Sequence, residues 1–289
     1  TSSHKHSRRD ASCSHSTVQS GMQLQFDFDA SATLPPIPGQ ARDANPTLRF
    51  ALRFAALLEP DSTAAFNNTA ISQLARDIFG SAAGNARDAY DAAEAGFNIY
   101  LGRIAFDPCE AASALDRLVA EQARLPLQTR RDQKQIDFQQ FSTPPAQAFV
   151  VIKAAALCNG MAVLEPSAGT GNIATLARLA GAEVETNEID QRRRDLLSFL
   201  GFQSTKFDAE RLDNLLPADK SYHVVVMNPP FSATGGRVNG HSTSFGARHI
   251  EQALLRLKPG GRLVAIVGRG MALERPAFRD WWADIADRY

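Results

Sequence analysis

The spacing of apolar residues changes once along the chain. Between residues 46 and 134, Ala, Leu and Phe recur at helical spacing, as in LRFALRFAALLE and TAISQLARDIFG, which predicts several helices. Three interruptions of this pattern, at residues 61–63, at Asn67 with Asn68 and at residues 80–84, are predicted to supply helix caps and breaks. From residue 136 onward, short apolar runs, many of them rich in β-branched residues, alternate with helical segments. This alternation predicts an α/β fold, with a mostly parallel sheet and helices on both faces.

The second region contains five predicted buried strands: MAVLEP, EVETNEID, STKFDAE, HVVVMNPP and GRLVAIVG. The predicted helices are residues 146–157, 172–180, 191–200, 209–215 and 247–257. Ligands of such sheets bind beyond the carboxyl ends of the strands. Polar residues that directly follow a strand are therefore the first candidates for a site.

The two patterns predict three parts. Residues 1–45 are a leader and linker, because their Ser- and His-rich start and LPPIPG segment cannot form a core. Residues 46–135 form a helical domain, and residues 136–289 form the α/β domain. The helical part shows no acid–base pair or nucleophile motif, so its predicted role is packing or partner binding.

Charge and composition exclude several classes of protein. Lys plus Arg and Asp plus Glu number 31 each in 289 residues, so no global basic field attracts nucleic acid or a membrane. No apolar run is long enough for a membrane span, and no signal peptide is evident, which predicts a soluble, cytoplasmic protein. Three widely separated cysteines predict neither disulfides nor a metal site.

A glycine-rich turn follows the first predicted strand. Glu165 precedes Gly169 and Gly171, and a helix is predicted from Asn172 onward. The glycines let backbone N–H groups and a helix N-terminus approach a ligand closely. A nicotinamide dinucleotide fold has similar spacing. Glu165 disfavours that reading, since a carboxylate repels a pyrophosphate and suits a cation such as the ammonium group of S-adenosylmethionine.

The next two strands end in acids. We assign Glu188 to the hydroxyls of a ribose and Asp190 to the N-cap of the following helix. Asp208 follows the third strand, where it could accept a hydrogen bond from an adenine amino group. An N-cap is a close alternative for Asp208.

The fourth strand ends in the sequence Asn228-Pro229-Pro230-Phe231. Two prolines stiffen the backbone and remove two N–H donors. The Asn228 side-chain oxygen and the Pro229 carbonyl can accept both hydrogens of a planar amino group, which concentrates the nitrogen lone pair toward an electrophile. Phe231 offers a face on which a flat ring can stack. A simple strand-terminating turn is the alternative.

Taken together, these motifs resemble those of class I S-adenosylmethionine-dependent amino methyltransferases, in the order typical of N6-adenine DNA methyltransferases. The resemblance covers roughly residues 136–270 and implies a Rossmann-like, doubly wound sheet. It implies direct transfer of the methyl group of S-adenosylmethionine to N6 of an adenine in DNA, with S-adenosylhomocysteine as product and no metal. The adenine must be flipped out of the duplex or single-stranded.

The same resemblance implies two sets of site residues. The catalytic set is Asn228, Pro229, Pro230 and Phe231. The set that contacts the methionine, ribose or adenine of the cofactor is Phe141, Ser142, Thr143, Pro144, Glu165, Ser167, Gly169, Gly171, Asn172, Glu188, Ile189 and Asp208.

A second resemblance involves YDAAEAGFNIYL and GGRLVAIVGRGM, which are similar to segments of plasmid- or phage-borne proteins. In those proteins such a methyltransferase precedes a helicase of the strawberry notch type, so a fused or partner helicase is implied. The sheet of the methyltransferase family continues beyond its fifth strand, whereas this chain ends at Tyr289, which predicts a C-terminally incomplete core. Trp281 and Trp282 are predicted to pack against the core rather than to stack on bases.

Other functions remain open from the sequence. A glutamine amide in a protein, or an amino group of an RNA base, would present a similar planar nitrogen to Asn228. A noncatalytic module that binds DNA or a partner is a further alternative. Residues 232–245 are predicted to form a flap in which Arg237 and His241 reach phosphate or are simply solvated. Residues 192–194, three consecutive arginines, are predicted to form a solvated face.

Overall fold

The computed structural model describes residues 45–58, 65–80, 86–104, 110–126, 142–230, 237–238, 241–242 and 245–289. The predicted helical region contains α1 (Pro46–Leu57), α2 (Asn68–Phe79), α3 (Ala86–Leu101) and α4 (Ala111–Ala123). The side chain of Asn67 caps α2 by accepting a 3.0 Å hydrogen bond from the Ala70 N–H group. Gly80 ends α2 with a φ of 76°, which a side chain would disfavour. The predicted start and end of this helix are confirmed.

The α/β region carries a five-stranded parallel sheet in the order β3-β2-β1-β4-β7. Its strands are β1 (Ala162–Glu165), β2 (Glu183–Asn187), β3 (Ser204–Thr205), β4 (Tyr222–Met227) and β7 (Leu257–Ala265). A short antiparallel pair, β5 (Arg237–Val238) and β6 (His241–Ser242), lies between β4 and β7 in the chain. The predicted strands and parallel pairing are confirmed, and the fold is a Rossmann-like α/β fold.

Helices alternate with the strands, as predicted. They are α5 (Pro145–Ala155), α6 (Asn172–Leu179), α7 (Gln191–Phe199), α8 (Leu212–Leu215), α9 (Phe245–Leu254) and α10 (Pro276–Arg288). A 3₁₀ turn over Ala209–Arg211 leads into α8, so the predicted helix 209–215 is split in two.

Two of the five strands were wrongly predicted to be buried. Strand β3 spans two half-buried residues, and β7 is half-buried or exposed along its length. Each is paired with a single neighbouring strand in the described sheet, so one edge of each is not covered by another strand. The apolar side chains of β7 are only partly covered, with Val264 packed against the first core and Leu263 and Ala265 against the second.

Alternate residues of the central strands pack into two cores. Val224 and Val226 face a core that includes residues of α5, α6 and α7, and Val225 and Met227 face a second core with residues of α9 and α10. The first core continues into the N-terminal helices, since Phe54 and Phe97 belong to the same buried cluster. The helices and one face of the sheet are therefore built on a continuous apolar core.

Close helix packing depends on one glycine. A Cβ atom at Gly96 of α3 would lie 2.6 Å from the carbonyl oxygen of Ala51 in α1. A glycine at this position lets the two helix backbones approach each other and fixes the position of α3 on α1. This matters because α3 also contacts the glycine-rich turn after β1.

The C-terminal tryptophans are structural, as predicted. The Trp281 indole donates a 2.6 Å hydrogen bond to Glu251, and the Trp282 indole donates one of 2.6 Å to the carbonyl oxygen of Met271. Phe278 and Trp281 pack against the second core.

Within the described ranges, no helix is long and apolar enough to cross a membrane. Those ranges also contain no group of three or more His, Cys, Asp or Glu residues that could hold a metal ion.

Candidate active site

The candidate site lies at the carboxyl end of the sheet, where the strand order reverses between β1 and β4. Strands β1 and β4 are direct neighbours, although two strands separate them in the chain. The connections leave β1 and β4 in opposite directions, which opens a crevice at this point. The glycine-rich turn after β1 and Asn228 after β4 are thus brought to the same edge.

Backbone geometry explains the two glycines of the turn. Gly169 and Gly171 have φ values of 57° and 90°. A Cβ atom at Gly171 would also lie 2.8 Å from the side chain of Leu197 in α7. Gly171 is the N-cap of α6, so the turn leads directly into the helix N-terminus.

Asn187 ties three strand ends together. Its amide nitrogen donates to the carbonyl oxygens of Pro166 and Phe207 at 3.0 and 2.9 Å, and its oxygen accepts from the Phe207 N–H group at 2.8 Å. The side chain is 1% exposed. This buried amide fixes the turn after β1 relative to the ends of β2 and β3.

The acids that follow β2 and β3 divide into two roles. Glu188 is buried and accepts 2.8 Å hydrogen bonds from the Gly169 and Asp190 N–H groups. Burial raises the pKa of Glu188, while nearby Arg193 and the two N–H groups oppose this shift. Asp190 caps α7, which confirms its assignment, and Asp208 caps the next turn by accepting from the Glu210 N–H group. The position of Glu188 beside the glycine turn is the one expected for a ribose ligand, and that contact remains a prediction.

Glu165 lies beneath the turn, at the end of β1. It is 2% exposed, and burial raises its pKa well above the usual range, although the Ala174 N–H group opposes the shift. Among the described residues, no side chain or backbone group bonds its second carboxyl oxygen. Such a buried oxygen favours a ligand that brings a proton donor or a positive charge.

Asn228 is held in place by the segment before α5. Its amide nitrogen donates a 2.9 Å hydrogen bond to the hydroxyl of Thr143, and Asn172 donates a 2.7 Å bond to the Thr143 carbonyl oxygen. Because the amide nitrogen is bonded to Thr143, the plane of the Asn228 amide is fixed and its oxygen is directed away from Thr143. The structure therefore brings together Thr143, Asn172 and Asn228, as the resemblance implies.

The remaining predicted residues are placed unevenly. Ser142 and Pro144 flank Thr143, Pro229 is buried and Pro230 half-buried. Ile189 is 53% exposed next to Glu188. Phe141, Phe231 and most of the predicted flap lie outside the described residues, and so do the side chains of Arg237 and His241.

Helix α3 contributes residues to the site that sequence reasoning missed. The Asn98 amide donates to the Thr170 carbonyl oxygen at 3.0 Å and to the Asn172 side chain at 2.8 Å. Glu94 accepts a 2.7 Å hydrogen bond from the Thr170 hydroxyl. A usable signal was present: Asp91, Glu94 and Asn98 recur at helical spacing on one face of an Ala-rich helix.

The arginine run is not the predicted solvated face. Arg193 is 3% exposed and pairs with Asp91 at 3.1 Å, while Arg192 pairs with Asp88. Arg194 donates to the carbonyl oxygens of Glu188 and Ile189 at 2.7 and 2.6 Å. The prediction was wrong because acids on α3, about a hundred residues earlier in the chain, attract Arg192 and Arg193, while backbone carbonyl oxygens after β2 hold Arg194.

His249 of α9 is a further site residue that was not predicted from the sequence. Its Nδ1 atom lies 3.4 Å from the hydroxyl of Ser167 in the turn after β1. Burial lowers the pKa of His249 to about 4, although the Asp208 carboxylate opposes the shift. The imidazole is therefore neutral at pH 7 and helps to fix Ser167.

The free chain is expected to lose stability as the pH rises from about 5 to 8. Burial and Asp91 raise the pKa of Glu94 from 4.5 to about 7, so the folded chain holds a proton that the unfolded chain has lost. The resulting stability is complete below the unfolded pKa and disappears as the pH rises through 7. The free energy of unfolding should therefore change less between pH 5 and 8 in Glu94→Gln than in the unsubstituted chain. We expect the difference to be on the order of 1–3 kcal/mol.

Urea unfolding of the unsubstituted chain and of Glu94→Gln at pH 5, 6, 7 and 8 measures how the free energy of unfolding changes with pH. Asp116→Asn is the matched control, because Asp116 is an exposed acid of α4. Equal slopes in the Glu94→Gln and unsubstituted chains would contradict a protonated Glu94.

A comparison with known families finds a match within the α/β part. Residues 151–279 match the family model of the methyltransferase small domain. No curated protein sequence matches the chain significantly.

Solved structures resemble the α/β part at low sequence identity. TrmN from Thermus thermophilus is 21% identical over 54% of this chain and 49% of its own, with a TM-score of 0.38. PH1948 from Pyrococcus horikoshii, a candidate RNA methyltransferase, is 21% identical over 61% and 80%, with a TM-score of 0.43. The 16S rRNA N2 G1207 methyltransferase RsmC from T. thermophilus, solved with AdoMet and guanosine, is 24% identical over 48% and 38%, with a TM-score of 0.36. This chain thus spans about half the length of TrmN.

The residues at the carboxyl end of the sheet fit S-adenosylmethionine. The buried Glu165 oxygen suits a positively charged ligand, and Glu188 beside Gly169 suits hydroxyl groups. The exposed apolar side chain of Ile189 suits the face of an adenine. None of these three features favours a pyrophosphate.

Proposed function

We propose that this chain uses S-adenosylmethionine to methylate the exocyclic amino group of a nucleic-acid base. The observation that carries the proposal is the placement of Asn228 and Pro229 beside the glycine turn, with the Asn228 amide oriented by Thr143. A planar amino group needs two acceptors in one plane, and an amide oxygen followed by a proline-fixed carbonyl supplies them.

Cofactor binding is assigned to the residues at the ends of β1, β2 and β3. Glu188 would bind the ribose hydroxyls, and Ile189 and Asp208 would contact the adenine. The turn from Glu165 to Asn172, with Ser142 to Pro144, would flank the methionine group. S-adenosylmethionine, when bound, supplies an electrophilic methyl group.

Catalysis by the chain itself would rest on positioning. Asn228 and Pro229 would accept both amino hydrogens, which keeps the nitrogen lone pair out of conjugation with the ring and directs it along the line of transfer. Phe231, next in the sequence, would stack on the base. A base inside a duplex must first be extruded, whereas a single-stranded base can enter directly.

The sequence motifs favour a more specific substrate, N6 of an adenine in DNA, because their order resembles that of N6-adenine DNA methyltransferases. RNA is the second candidate substrate, because unstacked bases in single strands and loops present the same amino group to Asn228. Two of the solved structures reported above are named for RNA, and those comparisons offer no support for DNA. The fused or partner helicase likewise remains a prediction.

Transfer of tritiated methyl groups from labelled cofactor to DNA, RNA and protein in parallel tests the proposal. We expect label in nucleic acid, recovered after digestion as an N-methylated base, and the sequence-based reading expects N6-methyladenine in DNA. Label confined to protein would contradict the proposal and favour a glutamine amide. Cofactor binding without transfer to any polymer would favour the noncatalytic module.

A further inference from the structure

Glu94 of α3 lies where the glycine turn meets the segment before α5. Its carboxylate accepts a 2.7 Å hydrogen bond from Thr170, the residue between Gly169 and Gly171, and the nearby Ser142 hydroxyl lowers its pKa. The Thr170 and Ser142 hydroxyls are themselves 3.5 Å apart. Ser142 adjoins Thr143, which orients Asn228. The Glu94 carboxylate is therefore near both the cofactor turn and the segment that holds the catalytic amide.

Three acids surround the glycine turn, and they differ in access. Glu165 is 2% exposed and lies beneath the turn, at the end of β1. Glu188 is 5% exposed, and its two oxygens accept from backbone N–H groups that cannot move away. Glu94 is half-buried and accepts a hydrogen bond from the Thr170 hydroxyl, which can rotate. Glu94 is thus the acid that can turn its charge toward a ligand.

We propose that Glu94, rather than the more deeply buried Glu165, is the carboxylate that binds the ammonium group of the methionine part of the cofactor. This inference rests on the proposed function and extends it, because an acid from the helical region then completes a site otherwise built on the sheet. The helical region becomes part of the cofactor site, in contrast to the role in packing or partner binding that its sequence predicts.

The charges around Glu94 agree with this role. Burial and Asp91 on the same helix raise its pKa to about 7, whereas the two hydroxyls and Arg193 of α7 lower it. Arg193 itself is paired with Asp91 at 3.1 Å. A bound ammonium group stabilises the charged form of Glu94, so the proton of Glu94 passes to solvent on binding.

Calorimetry with two nucleosides tests the contact without requiring activity. S-adenosylhomocysteine carries the ammonium group, whereas 5′-methylthioadenosine retains the adenosine and the sulfur but lacks the amino acid part. For Glu94→Gln we expect the Kd of S-adenosylhomocysteine to rise about 10- to 100-fold, because a charge-assisted hydrogen bond is lost. The Kd of 5′-methylthioadenosine should stay within about threefold, and Asp116→Asn should change neither value.

The pH dependence supplies an independent readout. Between pH 6 and 7.5, the affinity of the unsubstituted chain for S-adenosylhomocysteine should increase about five- to eightfold as Glu94 ionises. This increase should be absent in Glu94→Gln and for 5′-methylthioadenosine.

Each other result overturns a defined claim. Equal weakening of both nucleosides by Glu94→Gln would make Glu94 a structural residue and overturn the inference. Unchanged binding of S-adenosylhomocysteine would also overturn it, while leaving the cofactor assignment intact. An unsubstituted chain that binds neither nucleoside would instead overturn the cofactor site of the proposed function.

Discussion

Replacing Asn228 with alanine should reduce methyl transfer at least about 10²- to 10³-fold while leaving cofactor affinity nearly unchanged. The substitution removes an acceptor that acts on the substrate amino group, and it leaves Glu188 and the glycine turn in place. Transfer of labelled methyl groups measures the first effect, and calorimetry with S-adenosylhomocysteine measures the second. Asn214→Ala is the matched control, because Asn214 is an exposed asparagine of α8.

The hydrogen bond from Asn228 to Thr143 allows a graded version of this experiment. Thr143→Val keeps the Asn228 amide but removes the hydroxyl that accepts its N–H group at 2.9 Å. We expect kcat to fall about tenfold, because the amide is still present but less well oriented. Near-normal turnover of the Asn228→Ala protein would show that the amide is not an acceptor in the reaction.

Replacing Arg193 with methionine should lower the free energy of unfolding by about 3 kcal/mol or more. Arg193 and Asp91 are 3% and 4% exposed, and their groups lie 3.1 Å apart between α7 and α3. Removing Arg193 leaves the buried charge of Asp91 only partly compensated, because the remaining Arg87 lies 3.8 Å from it. The neighbouring Arg192→Met is the control and should cost less than about 1 kcal/mol, because its pair with Asp88 is partly exposed.

Urea unfolding followed by circular dichroism measures the free energy of unfolding of Arg193→Met and of Arg192→Met. The double substitution Asp91→Leu with Arg193→Met should be less destabilising than the sum of the two single changes, since it removes both buried charges. Equal losses for Arg192→Met and Arg193→Met would show that α3 does not depend on a buried ion pair.

Local patterns sufficed to predict much of the sheet and of the cofactor turn. The alternation of apolar runs and helical segments predicted five parallel strands, because each run and each cap is a local property of the sequence. Asp190 was assigned correctly to an N-cap for the same reason. Gly169 and Gly171 could be read as a ligand-binding turn, since few other residues adopt a positive φ there.

Burial of the edge strands could not be read in the same way. An apolar run has the same composition whether one face or both faces are covered. The half-exposed β7 and the two-residue β3 were therefore predicted as buried strands like the others.

The order of the elements and the polar residues that end β1, β2 and β4 follow from the sequence alone. Which distant residues meet them depends on tertiary packing. Glu94, Asp91 and Asn98 of α3 reach Thr170, Arg193 and Asn172, which lie more than seventy residues later in the chain. Periodicity reports which face of a helix is polar but not what that face touches, because contacts between helices depend on packing, such as the close approach of α1 and α3 at Gly96. The helical region therefore looked like a separate packing module, and only the contacts of α3 with the turn after β1 and with α7 made it part of the candidate site.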